Sequence, residues 1–182
     1  MSMLSRLLRR DGDDAGGLVI EPMRRRHLAE VLPIEQVSYP KPWGQNTFTS
    51  ELEMAKRDER TYLVARRQGA VVGYAGLMYV VDDAHVTNIA VSPGEQRHGV
   101  ATRLLAELAW AGLQRGCQAM TLEVRVTNTS AQELYHRFGF VPAGIRQRYY
   151  ENTDDAIVMW CNDIDTEAYR ERLRALCPAA AR

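Results

Sequence analysis

The stretch from His85 to Val126 constrains the fold more than any other. HVTNIAVSP (His85–Pro93) is rich in β-formers and ends at a proline that cannot donate to a ladder, so it reads as a strand. Beyond it, Ala101, Leu104, Leu105, Leu108, Ala109 and Gly112 recur at i, i+3, i+4, i+7, i+8 and i+11, which makes one apolar stripe along an α-helix. AMTLEVRV (Ala119–Val126) then alternates, with Leu122, Val124 and Val126 on one face and Thr121, Glu123 and Arg125 on the other. A strand, a helix and a second strand in that order give a helix-linked crossover within a sheet.

The flanking sequence supplies further strands. LVIEPM (Leu18–Met23) reads as a short strand, and Thr61–Val81 as two strands around the turn Gln68–Gly69. Arg24–Val37 reads as a helix interrupted or kinked by Pro33, SYPKPW (Ser38–Trp43) as extended chain, and GQNTFTSELEMA as a second helix. Downstream lie a helix from about Ser130 to Phe138 stopped by Gly139, strands near Phe140–Gln147 and Asp155–Cys161, and a terminal helix over Thr166–Leu176 closed by Pro178. The order β-α-α-β-β-β-α-β-α-β-β describes a mixed α/β sheet, antiparallel at first. Residues 1–17, ending in DGDDAGG, read as a flexible extension, 18–163 as the domain, and 164–182 as a C-terminal helix and tail.

Composition narrows the function classes. A length of 182 residues suits one domain of about 150 residues with additions at the ends. Lys+Arg and Asp+Glu both number 23, so no overall charge recruits nucleic acid or a membrane surface. No run of about 18 apolar residues and no secretory signal is seen, and a cytoplasmic protein is expected. Cys117, Cys161 and Cys177 are far apart, with no CxxC or Cys/His spacing, so buried reduced thiols and no metal are expected. No extra apolar helix face is evident, which suggests a monomer.

The start of the central helix carries the chemistry. Gln96-Arg97-His98-Gly99-Val100-Ala101 follows a strand and opens a helix, but it is not the GxxxxGK[ST] of a nucleotide loop. The first N–H groups of a helix have no intrahelical partner, and the helix dipole adds positive potential there. Gly99 allows close backbone approach, and Arg97 and His98 add donors. Such a tip suits a diphosphate, although an exposed Arg-His pair beside a turn-easing glycine fits the same spacing.

With NIAVSPGEQRHGVATRLL and LEVRVTNTSAQELYHRFGF in this order, the chain resembles the GNAT superfamily of N-acetyltransferases, whose paired signatures are [QR]-x-x-G-x-[GA] and N-x-x-A-x-x-L-Y-x-x-x-G-F. Ala101 stands where many members have glycine. LEVR, Pro42–Trp43, RQRYY and DAIVM resemble, more narrowly, the ribosomal-protein-alanine N-acetyltransferases. The resemblance spans Leu18 to Asp163. It implies a mixed central sheet of about seven strands with flanking helices, splayed between the fourth and fifth strands.

The resemblance also implies acetyl-CoA as co-substrate. Its diphosphate is expected on Arg97, His98, Gly99, Val100, Ala101 and Thr102, and its pantetheine arm on the backbone of Ile89, Ala90 and Val91, which must be an exposed strand edge. Asn128 matches a cofactor-contacting position and also suits a helix cap. Glu123 is the candidate base and Tyr135 the candidate acid for direct attack of an amine in a ternary complex. By spacing alone, Glu123 reads as a solvated strand glutamate, and Tyr135 as a core residue on the stripe Ala131, Leu134, Tyr135, Phe138. Trp43, Tyr149 and Tyr150 are candidates for lining the acceptor groove, or else for packing at its rim. His27, His85 and His136 lack partners at ligand spacing and read as surface or capping residues. The implied acceptor is a protein N-terminus, the alanine of a small-subunit ribosomal protein; a small amine or antibiotic, or an acyl-CoA-binding module without catalysis, are the alternatives.

Overall fold

The crossover is the spine of the molecule. In a computed structural model, which describes residues 17–150 and 154–180, β4 (Asp83–Val91) leads through α3 (Val100–Gln114) to β5 (Ala119–Arg125), and β4 and β5 pair in parallel. Before them come β1 (Leu18–Pro22), α1 (Leu28–Ser38), α2 (Gln45–Lys56), β2 (Arg60–Arg67) and β3 (Ala70–Val80). After them come α4 (Thr129–Arg137), β6 (Val141–Tyr150), β7 (Asp154–Cys161) and α5 (Glu167–Leu176). The strands form one seven-stranded sheet in the order β1-β2-β3-β4-β5-β7-β6, antiparallel except at β4–β5. The element order is the one read from the sequence. The reading of residues 1–17 as flexible falls, apart from Gly17, outside the described residues.

Each face of the sheet has its own core. Leu104, Leu105 and Leu108 of α3 are wholly buried against Leu77, Ala84, Val86 and Leu122, and Leu173 of α5 joins them. Burial of each such leucine is worth about 1.5–3 kcal/mol relative to exposure. On the other face, Leu28, Val31 and Ile34 of α1 and Phe48 and Leu52 of α2 pack on Tyr62, Val64 and Tyr74.

A β-bulge in β4 decides what faces where. Gly76 pairs with Asn88 and Leu77 with Val86, leaving Thr87 as the extra residue. The bulge reverses the parity of the strand. Ala84 and Val86 point to the α3 core, whereas after the bulge Ala90 points to the α1/α2 core and Ile89 and Val91 to α3. Gly76 is required there, because an added Cβ would lie 2.4 Å from the Tyr62 ring and 2.6 Å from the Asn88 and Thr87 side-chain oxygens.

Two expectations are corrected. The segment expected as one helix over Arg24–Val37 divides into a 3-10 turn, Arg25–His27, and α1, and the division lies there rather than at Pro33. Pro33 is exposed, so its ring meets solvent and costs α1 one internal hydrogen bond without ending it. Val126, expected to continue the inward face of β5, lies past its end and is 39% exposed; the chain turns there, with the Asn128 N–H donating to the Arg125 carbonyl at 3.0 Å.

Candidate active site

The tip of α3 is built to receive an anion. Gly99 is the N-cap residue, with φ of 79°, and no side chain caps the helix. Arg97, just before it, also has positive φ, at 62°. The space beside Gly99 is open, with nothing within 4 Å of an added Cβ. An ion pair from Arg67 at the end of β2 to Glu95 anchors the turn in front of the tip. A cleft of about 870 Å³ opens here, lined by Arg97, His98, Gly99, Thr102 and also Arg67, Arg103 and Arg137. Arg97 and Arg137 have no acidic partner among the described residues. Unpaired helix N–H groups beside the Arg97 and Arg137 guanidinium groups fit a diphosphate. Val100 is buried in the α3 core and half-buried Ala101 packs against the same core, and neither lines the cleft.

β4 and β5 part company beside this tip. Their pairing is confined to Asp83 with Ala119, Ala84 with Met120 and His85 with Thr121, after which β4 runs on to Val91 without β5. The edge expected at Ile89, Ala90 and Val91 is therefore open toward β5, but Ile89 is not bare. The Tyr39 hydroxyl accepts from the Ile89 N–H at 3.3 Å and donates to the Ile89 carbonyl at 3.0 Å. Tyr39 follows the last turn of α1, so a residue read only as extended chain reaches the strand edge across the splay.

Glu123 lies opposite, on β5, facing away from the α3 core. Both of its oxygens are held. Arg146 of β6 donates to Oε1 at 2.6 Å, and His85 Nε2 lies 3.0 Å from Oε2. The carboxylate is 10% exposed. The His85 hydrogen bond, more than partial burial opposes it, holds the Glu123 carboxyl below its usual range, with Arg146 adding to the effect. This corrects the reading of His85 as a surface or capping residue. His85 is the last residue of the β4–β5 pairing, so its side chain reaches Glu123 two positions along the neighbouring strand. Neither His85 nor Arg146 forms a local motif with Glu123, and only strand pairing unites the three.

Tyr135 is buried on α4, its ring 5.8 Å from that of Phe140. Burial pushes its hydroxyl pKa upward, and the nearby Tyr39 and Tyr150 hydroxyls push it further, so the proton stays on the phenol. Tyr150 bridges toward Glu123, donating to the Glu123 carbonyl at 3.1 Å, with Arg125 stacked 4.1 Å from its ring centre. The hydroxyls of Tyr39, Tyr135 and Tyr150 thus gather at the splay between Ile89 and Glu123.

The remaining candidates divide. Asn128 caps α4, its Oδ1 accepting from the Ala131 N–H at 3.1 Å. Trp43 stacks edge-on against Phe48 at 5.5 Å, and its backbone N–H donates to buried Glu35 at 2.8 Å, which makes it a half-buried wall of the α1/α2 core. Tyr149 is 44% exposed beneath Arg146. His27 Nδ1 accepts from the Arg24 N–H at 3.1 Å and His136 Nδ1 lies 3.0 Å from the Phe140 carbonyl, both at element ends. The three cysteines are buried and form no disulfide, and among the described residues no group of three or more His, Cys, Asp and Glu is placed to hold a metal.

Residues 28–140 match the acetyltransferase (GNAT) family. The chain is 34% identical over 143 residues to the ribosomal protein bS18-alanine N-acetyltransferase of Escherichia coli, covering 77% of this chain and 94% of that protein. The crystal structure of the ribosomal-protein-S18-alanine N-acetyltransferase from Escherichia coli superposes with a TM-score of 0.72 at 32% identity, over 80% of this chain and 94% of the other. An acetyltransferase from Salmonella typhimurium, yncA, solved with its cofactor acetyl-CoA, shares the fold with a TM-score of 0.71 at 17% identity, over 80% of this chain and 93% of that one.

Proposed function

Since this chain belongs to the acetyltransferase (GNAT) family and is an N-acetyltransferase, we propose that it acetylates protein N-termini with acetyl-CoA, its acceptor being the N-terminal alanine of a small-subunit ribosomal protein. When bound, acetyl-CoA supplies an activated acetyl thioester. The backbone N–H groups at Arg97 to Thr102 hold its diphosphate, Arg137 adds charge beside them, and Ile89, Ala90 and Val91 take its pantetheine arm along β4. The Ile89 N–H is then the donor that stabilises charge growing on the thioester oxygen. Glu123 removes a proton from the acceptor's ammonium, directly or through one water, and passes it to solvent. Tyr135 gives its proton to the departing sulfur and recovers one from the newly acylated nitrogen. Trp43, Tyr149 and Tyr150 flank the acceptor.

The observation that carries this reading is the placement of Glu123, on β5 past the end of its pairing with β4, 10% exposed and held by Arg146 and His85. A carboxylate held below its usual range is a weak base. An N-terminal amine, with a reference pKa of about 7.7–8.0, releases its proton far more readily than a lysine at about 10.4. The weak base therefore favours an α-amino acceptor over a side-chain amine, and the 34% identity to the bS18-alanine enzyme points the same way.

The test is to incubate the protein with acetyl-CoA and peptides beginning with Ala, Ser or Met, each with and without an internal lysine, beside a polyamine. Mass spectrometry should place the acetyl group on the α-amine. Thiol release with the polyamine alone would move the acceptor to small amines. Tight acetyl-CoA binding without turnover of any acceptor would favour a binding module.

A further inference from the structure

The Tyr39 hydroxyl occupies the groups that an acyl cofactor would need. A hydroxyl that both accepts from the N–H and donates to the C=O of one residue reproduces the pair of bonds a neighbouring strand would make. On the far side of the splay, β5 makes no such bonds, because its pairing with β4 ends at His85. An edge residue left wholly unpaired is costly, and Tyr39 removes that cost at Ile89. We infer that Tyr39 stands in for the thioester arm on β4, competing with acetyl-CoA for Ile89 and so setting the affinity of the protein for its acyl donor. This inference rests on the proposed function.

The surroundings let Tyr39 yield. Its backbone N–H is anchored to the Glu35 carbonyl at 3.1 Å, but the chain after it, Pro40-Lys41-Pro42, is exposed and outside any helix. The ring is only half-buried. Glu35 and the Tyr135 and Tyr150 hydroxyls lie close enough to interact with the Tyr39 hydroxyl, so leaving Ile89 does not strand it without polar neighbours. Binding therefore exchanges two hydrogen bonds for two others. The side chain that makes the first pair lowers the free energy of the empty protein, and by linkage it weakens the ligand.

The experiment is Tyr39→Phe, which keeps the ring and removes the hydroxyl. Titration with acetyl-CoA should give a Kd about fivefold to tenfold lower than in the unaltered protein, the scale expected for one to two modest hydrogen bonds. The variant should also melt at a lower temperature than the unaltered protein when empty, and the gap should shrink at saturating acetyl-CoA. An unchanged or raised Kd, or an equal loss of melting temperature in both states, would overturn the inference. If Tyr39→Phe does not fold, the unaltered protein crystallised with a non-hydrolysable acetyl-CoA analogue decides it. The inference stands if the Tyr39 hydroxyl has left Ile89 and fails if both bonds persist. Failure of the unaltered protein to bind acetyl-CoA would overturn the proposed function together with this inference, whereas binding with no gain in the variant overturns this inference alone.

Discussion

At the scale of single residues, Glu123 and Tyr135 are set apart by their surroundings: donors on both carboxylate oxygens favour its ionised form, and burial favours the neutral phenol. Tyr135→Phe should slow turnover by about 10²-fold or more, as loss of a general acid does. The acetyl-CoA Kd should stay within about twofold, and an unchanged kcat would remove Tyr135 from the chemistry. His85→Ala deletes the largest cause of the Glu123 shift, so the carboxyl pKa should rise toward the ordinary 4.5, read by NMR titration. A carboxyl depressed in the folded state stabilises the protein above its unfolded value and loses that contribution as the pH falls through the lowered folded value, so His85→Ala should lessen the loss of stability below pH 4.5. Glu123 and Tyr135 could be singled out as candidates because each sits inside a local signature. His85, Arg146 and Tyr39 were not, because strand pairing and a loop crossing bring them in from distant sequence, as the 50-residue separation of Tyr39 and Ile89 shows.

At the scale of elements, two glycines make the site possible for different reasons. Gly76 accommodates the bulge that turns Ile89 and Val91 toward α3, whereas Gly99 lets the chain enter α3 with positive φ. Gly76→Ala should destabilise the fold by about 1–3 kcal/mol in chemical denaturation, through overpacking against Tyr62 and Asn88. Gly99→Ala meets no neighbour and costs about 1–2 kcal/mol from backbone conformation alone. It should also weaken acetyl-CoA, since its new methyl group lies in the cleft. A neutral Gly76→Ala would contradict the account of the bulge. The α3 stripe was plain in the sequence because its leucines recur at the helical period, but burial extends round the whole helix from Arg103 to Leu113, which the stripe alone does not announce. The bulge was hidden, since TNIAV reads as continuous β-strand and only the pairing with Gly76 reveals the extra residue. The break at Arg25–His27 was displaced onto Pro33 because proline is the conspicuous helix breaker, whereas the 3-10 turn carries no comparable mark.

At the scale of the whole molecule, the sheet is one continuous scaffold with a wedge cut into it where β4 and β5 part. The α3 core holds both β4 and β5 where they diverge, whereas the α1/α2 core holds β4 alone, through Ala90. Residues of β4, β5, β6, α4 and the α1–α2 connection converge there, the reason that no single segment of sequence announces the site. Under the proposed function, the thioester lies in this wedge between Glu123 and Tyr135, with the diphosphate on the α3 tip. The most direct measurement is a crystal structure of the protein with coenzyme A. The diphosphate should sit on the N–H groups from Arg97 to Thr102, with the sulfur within hydrogen-bond reach of the Tyr135 hydroxyl. A diphosphate bound away from Gly99, or a sulfur remote from Tyr135, would contradict the proposed function.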